Sequence, residues 1–226
     1  MPGIFAPERW GLDVHVIGLG GIGSWLVLFL AQVGVPVIHV YDDDVVEEHN
    51  LTAQCFRLDD AANSVYKADA LVELAKRQEL TTTIIPHIVR IHDRSSRRKV
   101  KLNGVVISGV DSMQSRADIW RLVKRNGLVE LYMDGRIGGK TFHLYTLNPS
   151  SPMQIKKYEA WMFSDDEASP EPCAVRDDND AALVLGGFIK HNLSSFARGE
   201  PTADILHGNL SAVSVNGRQV SVVRSL

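Results

Sequence analysis

Six residues constrain this chain more than any others. GLGGIG, Gly18 to Gly23, closes the β-branched run DVHVIGLG (13–20) and opens the helical pattern IGSWLVLFLAQVG (22–34), which ends at Gly34. Glycines in this spacing make a turn tight enough to join a strand to a helix, and they leave backbone N–H groups bare at the helix N-terminus. The next run, VPVIHVY (35–41), reads as a second strand. Together the three segments form one βαβ unit of about 30 residues, which suits a right-handed crossover between parallel strands. A chain that begins this way is bound to a parallel sheet covered by helices.

The alternation continues. Residues 61–78 carry helical spacing at Val65, Ala68, Leu71, Val72 and Ala75, and TTTIIPHIVRI (81–91) reads as a third strand with Pro86 marking an edge position. NGVVISGVD (103–111) is a short buried strand, SRADIWRLVKRNG (115–127) a helix and LVELYMDGR (128–136) another strand. KTFHLYTLNP (140–149) adds a strand, 150–180 shows little periodicity, and DAALVLGGFIKHNLSSF (180–196) is an apolar helix. Asn216–Gly217, inside SAVSVNGRQVSVV, signals a hairpin. The expected fold is α/β, a doubly wound Rossmann-like and mostly parallel sheet with C-terminal antiparallel strands and a hairpin. With 226 residues, 45% of them hydrophobic, the expectation is one domain, its core over 13–148 and an irregular crossover over 150–180.

Several classes of function lose support at this point. A net charge of −3 gives no reason to expect nucleic-acid binding. The basic stretch IVRIHDRSSRRKVK (88–101) reads as a solvated loop. Two cysteines, Cys55 and Cys173, make neither a disulfide framework nor a zinc pair, so a reducing cytoplasm is the expected setting. WLVLFLA (25–31) is too short to span a bilayer, and the N-terminus lacks the pattern of a secretory leader. His15 and His39 fall within strands without a catalytic partner at a telling spacing. Tyr158 and Trp161, in the irregular region, are candidates for packing a flap over the site.

The chemistry concentrates after the second strand, in VYDDDVVEEHNLTAQCF (40–56). Asp42 lies about 20 residues past the glycines, where a carboxylate takes both hydroxyls of a ribose. Up to this residue a nicotinamide-dependent oxidoreductase would fit. The plainer roles are a turn cap for Asp42, solvated amides for Asn50 and Gln54, an exposed helix face for Lys67 and a helix cap for Asp111.

Taken together, VIGLGGIGS, the string from Asp42 to Gln54, Lys67 and ISGVDSMQSR (107–116) resemble the ThiF/MoeB family of adenylyltransferases, relatives of ubiquitin-activating enzymes. The likeness spans about residues 13–140 and rests on the pattern D-x-D-x-V-E-x-x-N-L-x-R-Q, then a Lys, then an Asp closing a later strand. It implies ATP phosphates lined by Gly18, Gly20, Gly21 and Gly23, a nucleotide held by Asp42 and Asp44, a triphosphate held by Asn50, Gln54 and Lys67, and Mg2+ on Asp111. Lys67 and Asp111 would then be catalytic. The implied activity is adenylation of a carboxylate, that of a small ubiquitin-like or sulfur-carrier protein or a peptide, by a minimal member acting as a homodimer. Cys173 stands where family members that hand their substrate to sulfur place a cysteine. Arg9 resembles the N-terminal Arg that some members insert across a dimer. One position departs from the pattern: Ala53 stands where the family has Arg, which removes a guanidinium expected to neutralise phosphate. Arg57, Arg90 and Arg116 are candidates for the same space, and spacing does not choose among them. The alternative implied by Ala53 is a nucleotide- or partner-binding protein impaired in chemistry.

Overall fold

The structure is a computed structural model and describes residue 5 and residues 9–91, 100–162 and 179–210. Strand β1 (Val14–Ile17), helix α1 (Gly23–Gln32) and strand β2 (Val37–Tyr41) form the expected βαβ unit, with β1 and β2 parallel and His15 in register with His39. A 3₁₀ turn (Glu48–Thr52), α2 (Leu58–Ala62) and α3 (Lys67–Arg77) lead to β3 (Thr83–His87). Then follow β4 (Gly104–Ser108), α4 (Met113–Val123), β5 (Val129–Gly138), β6 (Thr141–Leu147), α5 (Pro152–Glu159), α6 (Asn179–Ala197) and β7 (Ile205–Asn209). The sheet runs β3-β2-β1-β4-β5-β6-β7, parallel from β3 to β5 and antiparallel through β6 and β7. This is the doubly wound arrangement that the alternation demands. Strand order reverses between β1 and β4, so a crevice opens beyond the carboxyl ends of those strands.

Successive strand residues face opposite sides, and each side has its own core. Val14, Val16, Ile38 and Val40 pack with Leu26 and Leu30 of α1, Leu71 of α3 and Leu185 of α6. On the other side Ile17, Val106 and Tyr132 meet Ile119 and Trp120 of α4 and Tyr158 of α5. β3 is the edge strand, as Pro86 indicates. The Thr83 N–H reaches Pro36 O and His87 O receives the Asp42 N–H, so residues 83, 85 and 87 bond toward β2 and the Pro86 nitrogen points outward.

Three features differ from the sequence expectation. The helix expected over 61–78 is two helices: Ser64 adopts a left-handed φ of 48°, and the Val65 N–H closes α2 on Asp60 O. Asn and Ser compete with the helix ladder through their own side chains, and here the chain turns at them. The irregular stretch contains α5, which starts with Pro at its first position and buries Ile155 and Tyr158. Tyr158 is therefore a core residue and not a flap, while Trp161 just beyond α5 is exposed. β7 was not foreseen, and the Asn216–Gly217 hairpin lies outside the described residues.

A polar row crosses the second face of the sheet. Asp13 accepts from Asn103 Nδ2 at 2.9 Å, which turns Asn103 Oδ1 toward His15 Nε2, also at 2.9 Å. Nε2 therefore carries the proton, and Nδ1 accepts from the Tyr41 hydroxyl at 2.9 Å. His15 is buried and fully satisfied as a neutral ring. Burial, aided by neighbouring His39, lowers its pKa from 6.5 to about 4. The unfolded chain takes up this proton near pH 6.5 and the folded chain only near 4. The stability is thus complete above the first value and is lost as pH falls toward the second, by up to about 3 kcal/mol. Urea titrations between these limits should show a shallower pH dependence for His15→Gln than for the parent. Equal slopes would remove His15 as the source.

Candidate functional site

The glycine turn is built by two of its glycines and opened by the other two. Gly18 has φ +88°, and a Cβ there would stand 2.9 Å from Val110 Cγ1 and 3.0 Å from Gly109 O, at the end of β4. A Cβ on Gly23 would stand 1.9 Å from Gly18 O. A Cβ on Gly20 would meet nothing within 4 Å among the described residues, and one on Gly21 would make only ordinary contacts with Ala53 and Ala182. The outer face of the turn is therefore open. Helix α1 begins there with no side-chain cap and no acidic residue in its first turn, an N-terminus suited to an anion.

Beside the turn, the end of β2 carries its three carboxylates. Asp42 Oδ2 accepts the Leu19 N–H at 2.7 Å and Oδ1 the Asp44 N–H at 2.9 Å, which ties β2 to the glycine turn. Burial pushes the Asp42 carboxyl up, against the pull of these two N–H groups and of Lys67. Each of its oxygens keeps a further lone pair for a ribose hydroxyl. Lys67, the first residue of α3, is only 6% exposed, and its ammonium donates to Asp44 Oδ2 at 2.9 Å. The plainer role, a lysine on an exposed helix face, is thereby excluded. Arg90 reaches Asp43 Oδ1 at 3.2 Å and Asp44 Oδ1 at 3.4 Å. Asp43 foremost, then Asp44 and Asp111, hold its pKa above the ordinary value. Ligand atoms of Asp42, Asp43 and Asp44 lie within 4.8 Å of one another, close enough to share a cation.

The segment after the 3₁₀ turn is stapled over the first turn of α1. Trp25 Nε1 donates to Ala53 O at 3.1 Å, the Cys55 N–H to Ser24 Oγ at 3.4 Å, and Ser24 Oγ to Gly20 O at 2.8 Å. Asn50 is buried, and its Oδ1 accepts the Glu47 N–H at 2.9 Å, so its first task is to close the turn. Gln54 Oε1 is buried without a partner among the described residues. A half-turn of that amide presents Nε2 there, a donor suited to an anion. The Cys55 thiol is pushed up to about 12 by burial, which leaves it inert at neutral pH.

Asp111 follows β4 on the opposite bank and is exposed. It is not the helix cap: Ser112 fills that place, its Oγ accepting the Ser115 N–H at 3.1 Å. Behind it stands a buried polar node that the sequence reading did not identify. Asp134 receives Arg116 Nη1, Arg136 Nε at 2.7 Å and the Tyr158 hydroxyl at 2.9 Å. Arg116 also donates to Gly135 O at 2.9 Å and to Val110 O, clasping the turn that carries Asp111. Asp134 and Arg116 lie 18 residues apart on different elements, so only DGR at the end of β5 hinted at a special environment.

The remaining candidates are placed as follows. Arg57 starts α2, bonded to Asp59 at 2.5 Å. Arg9 is exposed next to Trp10, whose ring meets Phe196 edge-on near the C-terminal end of α6. Ala182, near the start of the same helix, borders Gly21. The rise from Ala182 to Phe196 is about 21 Å, so Arg9 is remote from the crevice of its own chain. Cys173 lies outside the described residues. No helix among the described residues is long and apolar enough to cross a membrane.

Comparison with known proteins agrees with this fold. The chain is similar to the SAMP-activating enzyme E1 of Haloferax volcanii, at 31% identity over 103 residues, 46% of this chain and 38% of that protein. It therefore spans well under half of that relative's length. Its fold is similar to E. coli MccB solved with selenomethionine MccA (TM-score 0.72, 17% identity, covering 93% of this chain and 64% of that chain). It is also similar to MccB solved with ATP (TM-score 0.68, 18% identity, covering 98% and 68%). The model of the ThiF family matches residues 11–177, a stretch that takes in the crevice from Gly18 to Asp134 and most of the chain's length, and the chain accordingly belongs to the ThiF family.

Proposed function

We propose that this chain is an ATP- and Mg2+-dependent adenylyltransferase that activates a carboxylate, the C-terminus of a small ubiquitin-like or sulfur-carrier protein or of a peptide. One observation carries the reading. The buried ammonium of Lys67, held by Asp44, the Gln54 side-chain amide, whose buried Oε1 has no partner among the described residues, and the open outer face of the glycine turn belong to the segments around the switch-point crevice, and each can offer an N–H donor to an anion. The names of the relatives, an activating enzyme and a protein solved with ATP and with MccA, support it.

In this reading Gly20 and Gly21 give backbone N–H groups to the phosphates, with Gly18 and Gly23 shaping the turn. Asp42 holds the ribose, and Asn50, Gln54 and Lys67 hold the triphosphate, with Asp44 keeping Lys67 in place. Mg2+ would be held by Asp111, with the three carboxylates after β2 close by, and when bound supplies charge neutralisation on the phosphate oxygens. The acceptor carboxylate attacks the α-phosphorus, a carboxyl O–P bond forms, and the bond to pyrophosphate breaks. The protein's part is to offset the charge that accumulates at the α-phosphate and on the departing pyrophosphate. Arg9 would serve only the crevice of a second copy in a homodimer. Cys173 would take the acyl group through its sulfur with release of AMP. The chain would act as one domain in the cytoplasm.

Exchange of pyrophosphate into ATP that depends on an added carboxylate tests the reading, with Lys67→Ala expected to lower the rate about 100-fold. ATP with Mg2+ should also raise the thermal midpoint where NAD does not. A well-folded protein that binds no ATP would overturn the proposal. Ala53 favours a second reading, nucleotide binding without chemistry, and ATP binding with no exchange for any acceptor would select it.

A further inference from the structure

The charge balance of the crevice is uneven. Asp42, Asp43 and Asp44 line one bank and Asp111 the other, while Lys67, the buried cation that follows the first bank, is already engaged by Asp44. A triphosphate would bring several further negative charges into this space. Position 53 offers none of the needed compensation, since Ala53 presents a methyl group and a carbonyl already taken by Trp25.

Two of the three arginines that the sequence offers for this space are committed elsewhere. Arg57 pairs with Asp59, and its backbone N–H caps α2 through Asp60 at 2.9 Å. Arg116 is 4% exposed and bound to Asp134, Gly135 and Val110. Arg90 differs in kind. It follows β3 by three residues, its side chain is 57% exposed, and two of its partners, Asp43 and Asp44, are themselves 42% and 49% exposed. Exposed ion pairs of this sort are cheaply traded for a better anion. Asp111 on the far bank also contributes to its field. In the sheet order β3-β2-β1-β4, the glycine turn after β1 stands between the acidic groups after β2 and Asp111 after β4. The Arg90 guanidinium thus meets the carboxylates that follow β2, the strand next to the one that leads into the glycine turn, and its planar fork fits two phosphate oxygens at once.

We infer that Arg90 is a phosphate-binding residue of this crevice, reaching from the β3 side to supply the positive charge that Ala53 does not. The inference rests on the nucleotide reading given above. Arg90 has Asp43 and Asp44 among its partners; with nucleotide bound it turns to the β- and γ-phosphates.

Titration calorimetry with ATP·Mg2+ and with AMP tests this on the parent protein, Arg90→Ala, Arg90→Lys, Ala53→Arg and the double variant Arg90→Ala/Ala53→Arg. Arg90→Ala should weaken ATP about 10- to 100-fold and AMP only a few-fold, since the lost contacts are beyond the α-phosphate. Arg90→Lys should recover part of the loss, keeping the charge without the fork. Ala53→Arg should restore ATP binding at least about tenfold in the Arg90→Ala background and gain less in the parent, because both positions serve the same phosphates. Unliganded thermal midpoints close to the parent's separate binding from folding, as expected for so exposed a side chain. Equal ATP affinity for the parent and Arg90→Ala would overturn the inference while leaving the nucleotide reading intact. An equal loss for ATP and AMP would overturn it too, by moving Arg90 off the outer phosphates. A parent protein that binds neither nucleotide would overturn both.

Discussion

Arg116→Met is expected to destabilise the protein by about 3–5 kcal/mol, measured by urea denaturation. Methionine keeps much of the arginine stem's volume, so the cost is electrostatic in origin. Asp134 is fully buried, and Arg116 is one of its three donors. Removal strands a carboxylate beside Arg136 and Tyr158 alone, and it leaves Gly135 O and Val110 O without the donors they now have. The second loss reaches the crevice, because Val110 precedes Asp111 and its carbonyl anchors that turn. Under the function proposed above, nucleotide binding should therefore become less dependent on Mg2+ in whatever fraction remains folded. A loss below about 1 kcal/mol would mean that solvent enters the node and stands in for the guanidinium.

Gly23→Ala is expected to cost on the order of 3 kcal/mol or more, a large effect for one methyl group. Most small-to-large changes are absorbed by side chains that shift, but the atom in the way is Gly18 O, 1.9 Å from the new Cβ. That oxygen belongs to the turn itself, and Gly18 is further fixed by its N–H bond to Tyr41 O at 2.9 Å and by Val110 and Gly109 behind it. Helix α1 would have to lift from β1, disturbing Leu26 and Leu30 in the larger core. Gly20→Ala makes the matched comparison. It meets no described atom within 4 Å, so it should leave stability within about 0.5 kcal/mol of the parent. A Gly23→Ala protein as stable as that one would show the turn to be more pliable than its contacts imply.

The fold was legible because its signals are local. Gly18 and Gly23 force the turn, β-branched runs mark the strands, and Pro86 marks the edge. What escaped depends on partners distant in sequence. β7 is five residues long and contains a glycine, and its strand character comes from pairing with β6. α5 is short, and its two buried residues, Ile155 and Tyr158, are too few for periodicity to register, although Ser151–Pro152 is a readable start. The break between α2 and α3 turns on Ser64, in a stretch whose apolar spacing matches a continuous helix. The candidate site divides in the same way. Asp42, Asp44 and Lys67 were readable together, because motif order stands in for spatial proximity. The Asp134 node and the position of Arg90 were not, since a charged side chain reads as solvated until the fold shows what it faces.

Pro86 also limits how molecules of this protein can associate. The outward nitrogen at the middle of the β3 rim has no hydrogen, so a strand offered from another molecule would find a gap in the ladder and a pyrrolidine ring standing in the way. An endless ribbon of sheets needs two willing rims on every molecule. With one of them blunted, edge-to-edge growth stops where it starts, and this chain is guarded against the fibrous aggregation to which a bare parallel edge is prone.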